Sequence, residues 1–517
     1  MNLGGKDKRS VMETVQEQDS VTKEIQKAIR HTSVYGLTNI LAKAVGFVML
    51  PFYTHYLNPA DYGILEILDL SMTLFGMFLN MGITTAIQRR YAAAESAEEK
   101  RKVISTAFLF ITVTGLLIFL AGLGLVRPVS AHLLGPHVPS SYLLLSFSSM
   151  TLLYMTTAPG TYLRALELSG TILFIQTSAT IFTLVLNIYF IAVLRIGLGG
   201  ILWSSFLMAA IQMLLLGGWT ASRAGVKFSR AHLRQMLSYG WPLTFSNLAI
   251  FALNFSDRFF LQHLRSLDEV GVYAVGYKFG FLINFLLVAP FVTMWQARMF
   301  KIHAHPEHRR IFGRVFLLYS LVLMFAALAL SVLSPEIVRV MVDPKFSSSQ
   351  NVIPLVAFAY VFWGIGFYGQ LGMYLTNRTN LIGIVGIGAA VLNLALNYFL
   401  ILRYGMLGAA WATLLSFMAV AAANYRLSQR VFPLPLAVGR LAAAFALCVG
   451  LYLVSQEWSP TSMTIALLEK ACVLAAFPVL LWKIRILPQG ELDTLVSIRK
   501  NVRAGLSRTF GFVAQAE

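Results

Sequence analysis

Apolar residues run through this chain in long blocks separated by short polar stretches. Fourteen blocks of 19 or more predominantly apolar residues can be marked, near 33–57, 62–88, 103–126, 140–162, 170–194, 197–221, 238–263, 270–297, 312–334, 351–376, 380–402, 406–425, 437–455 and 462–482. A helix crossing a bilayer needs about 20 apolar residues, so each block predicts one transmembrane helix. The connections between blocks reach about fifteen residues at most, which leaves no room for an inserted soluble domain. The pattern predicts an all-α polytopic membrane protein with about 14 transmembrane helices.

The pattern also repeats. Residues 186–203, LNIYFIAVLRIGLGGILW, resemble 396–411, LNYFLILRYGMLGAAW, with Asn187, Arg195, Gly197, Gly200 and Trp203 matching Asn397, Arg403, Gly405, Gly408 and Trp411. Upstream, Gly160-Thr-Tyr-Leu matches Gly372-Met-Tyr-Leu, and Tyr35-Gly36 matches Tyr239-Gly240. The segments 55–66 (HYLNPADYGILE) and 263–274 (HLRSLDEVGVYA) correspond as well, so spans 1–6 and 7–12 form two units. Six helices is an even number, so both units insert with one orientation, as in the parallel-repeat transporters whose substrate binds between the lobes. The expected organisation is an N-terminal tail (1–32), a first lobe (33–222), a linker (223–237), a second lobe (238–430), two added spans (431–486) and a C-terminal tail (487–517).

Composition agrees. The 517 residues are 57% hydrophobic and 12% charged, with a mean hydropathy of +0.69. Soluble domains carry about 25% charge. No secretory signal peptide opens the chain, so the first apolar helix is expected to serve as the insertion signal. The net charge is +18. In a soluble protein such an excess would suggest nucleic acid, but here its placement decides. With both termini on one side, that side holds 31 of the 41 basic residues and 13 acidic ones, and the other side seven of each. Cytoplasmic loops are rich in Lys and Arg. The excess therefore orients the chain, both termini inside, and no nucleic-acid partner is expected. The inner segment 223–236 reads either as an amphipathic surface helix or as a plain charged loop. Cys448 and Cys472, both in apolar spans, are expected to be buried thiols.

Charged groups at helix centres cost about 2.5–3.5 kcal/mol on insertion scales, so each needs a reason. Span 1 carries Asn39 and Lys43 on one face. Span 2 carries Glu66, Asp69, Thr73, Gly76 and Asn80, a single stripe at spacings of 3 and 4. Span 7 carries Thr244, Asn247, Asn254 and Asp257-Arg258, span 8 carries Lys278 roughly 12 Å from its outer end, and span 14 carries Glu469-Lys470, expected to be a local pair or a sign that the span is misplaced. The stripes fall on the corresponding helices of the two repeats. They predict a cavity between the lobes with Lys43, Lys278, Asn39, Asn247 and Asn254 as substrate-binding positions and the lysines as cations suited to a phosphate or pyrophosphate. Glu66 and Asp69 are candidates for proton or cation coupling or for ion pairs, and Asp257-Arg258 for a gate or a structural pair. The histidines fall in loops or at span ends. No P-loop, Gly-rich dinucleotide motif or His/Cys/Asp metal cluster is present, so neither cofactor, metal site nor catalytic residue is expected.

The strings LPFYTHYLNPADYGILEI and MGITTAIQRRY, with NFSDRFFLQHLRSLDEVGVYAVGYKFG in the second half, resemble bacterial polysaccharide or O-antigen flippases of the Wzx type. These belong to the superfamily of multidrug exporters and peptidoglycan-precursor flippases. The resemblance covers about 33–430. It implies the two-lobed MATE-like fold with two extra C-terminal helices and a place in the bacterial inner membrane. It also implies an undecaprenyl-pyrophosphate-linked oligosaccharide as substrate, moved between leaflets by alternating access, with membrane lipids and a polysaccharide polymerase or other assembly proteins as partners. Two other classes compete. A cation-coupled multidrug exporter of the superfamily would typically have twelve spans and buried acids. A polysaccharide polymerase, ligase or glycosyltransferase would need a large catalytic loop.

Overall fold

The structure is a computed structural model and describes residues 45–80, 82–457 and 462–486, the side chains of 239–247 excepted. It is all-helical, and among the described residues there is no strand. The helices are α1 (Leu50–Tyr56), α2 (Pro59–Asn80), α3 (Ile83–Ala93), α4 (Ala97–Leu123), α5 (Val126–Leu134), α6 (Ser140–Met155), α7 (Thr157–Ala165), α8 (Ser169–Ile188), α9 (Leu198–Ala224) and α10 (Arg230–Leu264). They continue as α11 (Leu267–Ile283), α12 (Ala289–His303), α13 (His308–Val332), α14 (Ser334–Met341), α15 (Val352–Gly369), α16 (Leu371–Leu375), α17 (Asn380–Val431), α18 (Val438–Gln456) and α19 (Met463–Lys483). Short π-helical turns follow α8 at Tyr189–Val193 and α11 at Asn284–Val288.

Among the described residues, ten helices are long and apolar enough to cross a membrane. The chain is a multi-pass membrane protein. The other expected spans account for the difference from fourteen. Ser140–Ala165 is interrupted at Thr156, α10 carries Asp257 and Arg258 in its apolar part, and α17 counts once but contains two spans joined at Gly405. Span 1 lies outside the described residues up to residue 44.

Local chemistry sets the helix starts. The Ser96 side chain accepts from the Glu99 amide at 3.1 Å, and Glu98 and Glu99 occupy the first turn of α4 where its dipole favours acids. Asn58 Oδ1 accepts from the Asp61 amide at 2.7 Å, and Pro59 opens α2 without a lost amide donor.

The repeat is written into the backbone. Gly197 (φ 64, ψ −136) and Gly405 (φ 57, ψ −134) share a conformation in which a Cβ would clash, and each turns one span into the next. The left-handed residues Glu167 (φ 57) and Asn377 (φ 56) each follow one of the matching glycines, Gly160 and Gly372, within seven residues.

The described residues up to Ala274, with Met341–Phe346, form one compact unit, and Val275–Val340 with the residues from Ser347 onward form the other. In the first, α3, α4, α6 and α7 bury Ile87, Val103, Ile104, Ala107, Ile111 and Ala158. In the second, α13, α15 and α17 bury Leu323, Ala327, Val356, Ala357, Val361 and Phe417. The segment 223–236 is neither helix nor loop throughout. A strap at 225–229 joins α9 to α10, and Arg230 onward is already α10. The strap is fixed to α4: Ser105 Oγ donates to Gly225 O (2.8 Å), while the Lys227 and Ser229 amides donate to Ser105 Oγ and Thr106 Oγ1 (2.7 and 3.0 Å). Nearby, Arg90 Nε donates to His232 Nδ1 (3.2 Å) and its Nη2 to Glu99 (3.0 Å).

Candidate functional site

Two helices of the first unit bring charge into its interior, and the start of α11 adds a tyrosine. On α10, Asp257 and Arg258 are adjacent and both buried. Arg258 Nη1 donates to Asp257 Oδ1 at 2.7 Å and to the Asn254 carbonyl at 3.0 Å. Its Nε lies 3.7 Å from Glu66 Oε1 on α2. Tyr273 on α11 donates its hydroxyl to Asp257 Oδ2, and the guanidinium lies over the Tyr273 and Phe255 rings at 5.0 and 5.6 Å. Burying an arginine is costly unless its donors are met. Here two carboxylates, a carbonyl and two aromatic faces share that task.

The α2 and α11 helices cross close to this cluster. A Cβ on Gly63 would collide with the Leu267 carbonyl, and one on Gly271 would collide with the Pro59 carbonyl. The contact is reciprocal, each glycine meeting the residue four before the other. Gly63 and Gly271 are repeat-equivalent positions, so the crossing is a local two-fold. Small residues let helix backbones approach in this way. At the same end, Phe346 packs edge-on against the buried Tyr62 at 5.8 Å, and Lys345 Nζ donates to the His55 carbonyl at 3.1 Å.

The rest of the α2 stripe faces a different space. Asp69, Thr73, Gly76 and Asn80 line a cavity of about 440 Å³ with Ser149 and Ser205 from α6 and α9. Asp69 is exposed to it.

The expected site residues thus divide. Glu66, Asp257, Arg258 and Asn254 come together. Asn254 takes part through its carbonyl, its side-chain amide donating to Ile250 O at 2.9 Å. Asp69 belongs to the polar cavity. Lys278, exposed on α11, lies in the second unit. Asn39 and Lys43 lie outside the described residues, and Asn247 is on α10 with its side chain undescribed. Sequence reasoning missed Tyr273, Phe255 and the Gly63–Gly271 crossing. The aligned strings YGILE and VGVYA held that signal, a glycine at the same place in both repeats.

Two expectations are corrected. Lys470 does not pair with its neighbour Glu469. Its Nζ lies 2.6 Å from both carboxylate oxygens of Glu336 on α14, because adjacent residues on a helix point apart. Cys448 is buried, but Cys472 is exposed on α19. Among the described residues, no three His, Cys, Asp or Glu side chains stand together as a metal site requires.

Comparison with known proteins turns this geometry into a family. The model of the polysaccharide biosynthesis protein family matches residues 28–303, more than half the chain. The chain belongs to that family. A putative O-antigen transporter of Shigella flexneri is 21% identical over 381 residues, covering 70% of this chain and 88% of that protein. An uncharacterized membrane protein of Methanocaldococcus jannaschii is 24% identical over 233 residues, which spans 41% of this chain and 44% of the relative's length. Among solved structures, the lipid II flippase MurJ in an inward closed conformation aligns with a TM-score of 0.65 at 13% identity, over 89% of this chain and all of that one. An inward-facing multidrug resistance MATE family transporter of the MOP superfamily aligns with 0.61 at 14% identity, over 78% and 95%. This polysaccharide biosynthesis protein has the helical fold of that superfamily.

Proposed function

We propose that this polysaccharide biosynthesis protein is a flippase for an undecaprenyl-pyrophosphate-linked oligosaccharide. It moves its substrate from the inner to the outer leaflet of the bacterial cytoplasmic membrane by alternating access, with both termini in the cytoplasm. The observation that carries the reading is the Arg258 cluster beside the Gly63–Gly271 crossing. Charge is concentrated where repeat-equivalent helices meet, with Asp257, Arg258 and Glu66 gathered in one cluster. Two rocking repeats need such a contact, one that is tight when made and polar enough to be solvated when parted. Membership of the family supports the substrate class, and the Shigella relative, a putative O-antigen transporter, points the same way.

In this reading Lys43 and Lys278, with Asn39, Asn247 and Asn254, receive the pyrophosphate in a cationic cavity between the repeats, each lysine acting as a point charge. Glu66, Asp257 and Arg258 gate, and Asp69 in its polar cavity couples a cation or proton. A polymerase or another assembly protein takes over the product.

Deletion of the gene should abolish surface glycan and leave drug sensitivity unchanged. The opposite pair of results would favour a multidrug exporter. Lys43→Ala and Lys278→Ala should each abolish glycan export at wild-type protein levels in the membrane, and wild-type glycan in both would remove the cationic cavity. Asp69→Asn should slow export and flatten its dependence on pH or sodium. An unaltered dependence would remove the coupling role.

A further inference from the structure

The α8–α9 hairpin holds a groove of about 780 Å³ that the transport reading does not use. Two facing stripes form it. Thr171, Ile175, Ser178 and Phe182 come from α8, and Gln212, Leu216, Trp219 and Arg223 from α9, each set at spacings of 3 and 4. The hairpin closes at its turn, where Gly200 packs against Phe190 with no room for a Cβ, and splays toward the other end.

The repeat-equivalent hairpin, inside α17, shows why. There Asn393 donates to Ser416 across the two arms at 3.2 Å. The corresponding residues of the first hairpin are Thr183 and Met208, and Met208 lines the end of the groove. Thr183 and Met208 do not offer the amide–hydroxyl pair that clasps the second hairpin.

The groove runs from Arg223 to Met208, roughly 22 Å along a helix at 1.5 Å per residue. That is about half of a bilayer's full thickness. A transmembrane helix would need a track spanning the whole hydrocarbon core, so the occupant is one leaflet long. Phe174 and Leu215, 72% and 68% exposed, leave the groove open to the surrounding membrane. At its mouth Arg223 is exposed, with no hydrogen bond or ion pair to another described residue. Trp219, one turn deeper, is the residue type that settles at the headgroup boundary.

We propose that this groove binds an anionic phospholipid, its acyl chain between α8 and α9 and its phosphate on Arg223. Basic mouths between transmembrane helices suit anionic headgroups, whereas a zwitterionic lipid brings its own cation. The proposal does not depend on which leaflet the mouth of the groove faces.

The test is native mass spectrometry of lipids retained by the full chain, purified from membranes containing phosphatidylglycerol and phosphatidylethanolamine. The wild type should retain phosphatidylglycerol in roughly fivefold excess over its membrane proportion. Arg223→Ala should erase that excess, Leu216→Trp should remove the bound lipid, and Arg403→Ala should change neither. An excess that survives Arg223→Ala, retention of the isoprenoid carrier in place of phospholipid, or the bulk lipid ratio in the wild type would each overturn it. The readout does not involve export, so a failed flippase reading and a failed lipid site are separable.

Discussion

The Arg258 cluster and the Lys470–Glu336 pair both place charge among apolar helices, yet they are built differently. Arg258 is 2% exposed and is shared among Asp257, Glu66, the Asn254 carbonyl and two aromatic rings on three helices. Lys470, 10% exposed, meets one carboxylate, bound symmetrically. The first joins helices that the repeat duplicates. The second ties α19, which has no counterpart in the repeat, to α14. A many-membered cluster offers several interactions to exchange as helices move, while a single symmetric pair acts as a pin. In the proposed reading the first contact serves transport and the second assembly.

Mutation can break that distinction. Arg258→Ala strands the buried Asp257 carboxylate and the half-buried Glu66 carboxylate and should cost about 3–5 kcal/mol, measured as thermal unfolding in detergent. Arg258→Lys, which keeps the charge but not the planar fork, should recover part of that stability and little of the export. Full export in a stable Arg258→Lys protein would make the cluster a mere pin. Lys470→Met should cost less, about 1–3 kcal/mol, because it leaves one carboxylate without its partner. Adding Glu336→Gln should restore most of the loss and leave export at the wild-type level. Impaired export in that stable double variant would erase the distinction from the other side.

A third charged contact, outside the membrane, should give the smallest effect. Burial, helped by the Arg90 guanidinium, holds His232 below the ordinary imidazole value, while Glu99 pulls the other way. The unfolded chain therefore binds the proton more readily. The strap's hold is full above the ordinary imidazole value and weakens as pH falls through it toward the lowered one. The protection of the Lys227 and Ser229 amides relative to their intrinsic exchange rates should fall over that interval, and His232→Gln should flatten the change. An identical fall in the variant would remove His232 as its source.

What the sequence made legible follows from which signals are local. Hydropathy placed the fourteen apolar blocks because a bilayer demands length and continuity of every span. Gly197 and Gly405 marked the repeat because only glycine adopts their conformation. The stripe of Glu66, Asp69, Thr73 and Asn80 was visible because helical spacing is local, but its division was not. Glu66 reaches Arg258 and Asp69 a separate cavity, which depends on the helices packed alongside. Lys470 failed for the same reason: its partner is 134 residues away, and adjacency in sequence stood in for contact. Tyr273 and the Gly63–Gly271 crossing were present in the repeat alignment, but their roles come from a helix crossing that periodicity does not encode.

The central claim is movement of a lipid-linked oligosaccharide between leaflets. Its most direct test uses purified protein in vesicles carrying undecaprenyl-pyrophosphate oligosaccharide in both leaflets and a glycosidase added outside. Empty vesicles should expose only the outer-leaflet half. Wild-type protein should bring the remainder within reach of the enzyme, and Lys278→Ala protein should not. Vesicles with wild-type protein that stop at the same half as empty ones, with the protein folded and inserted, would contradict the account.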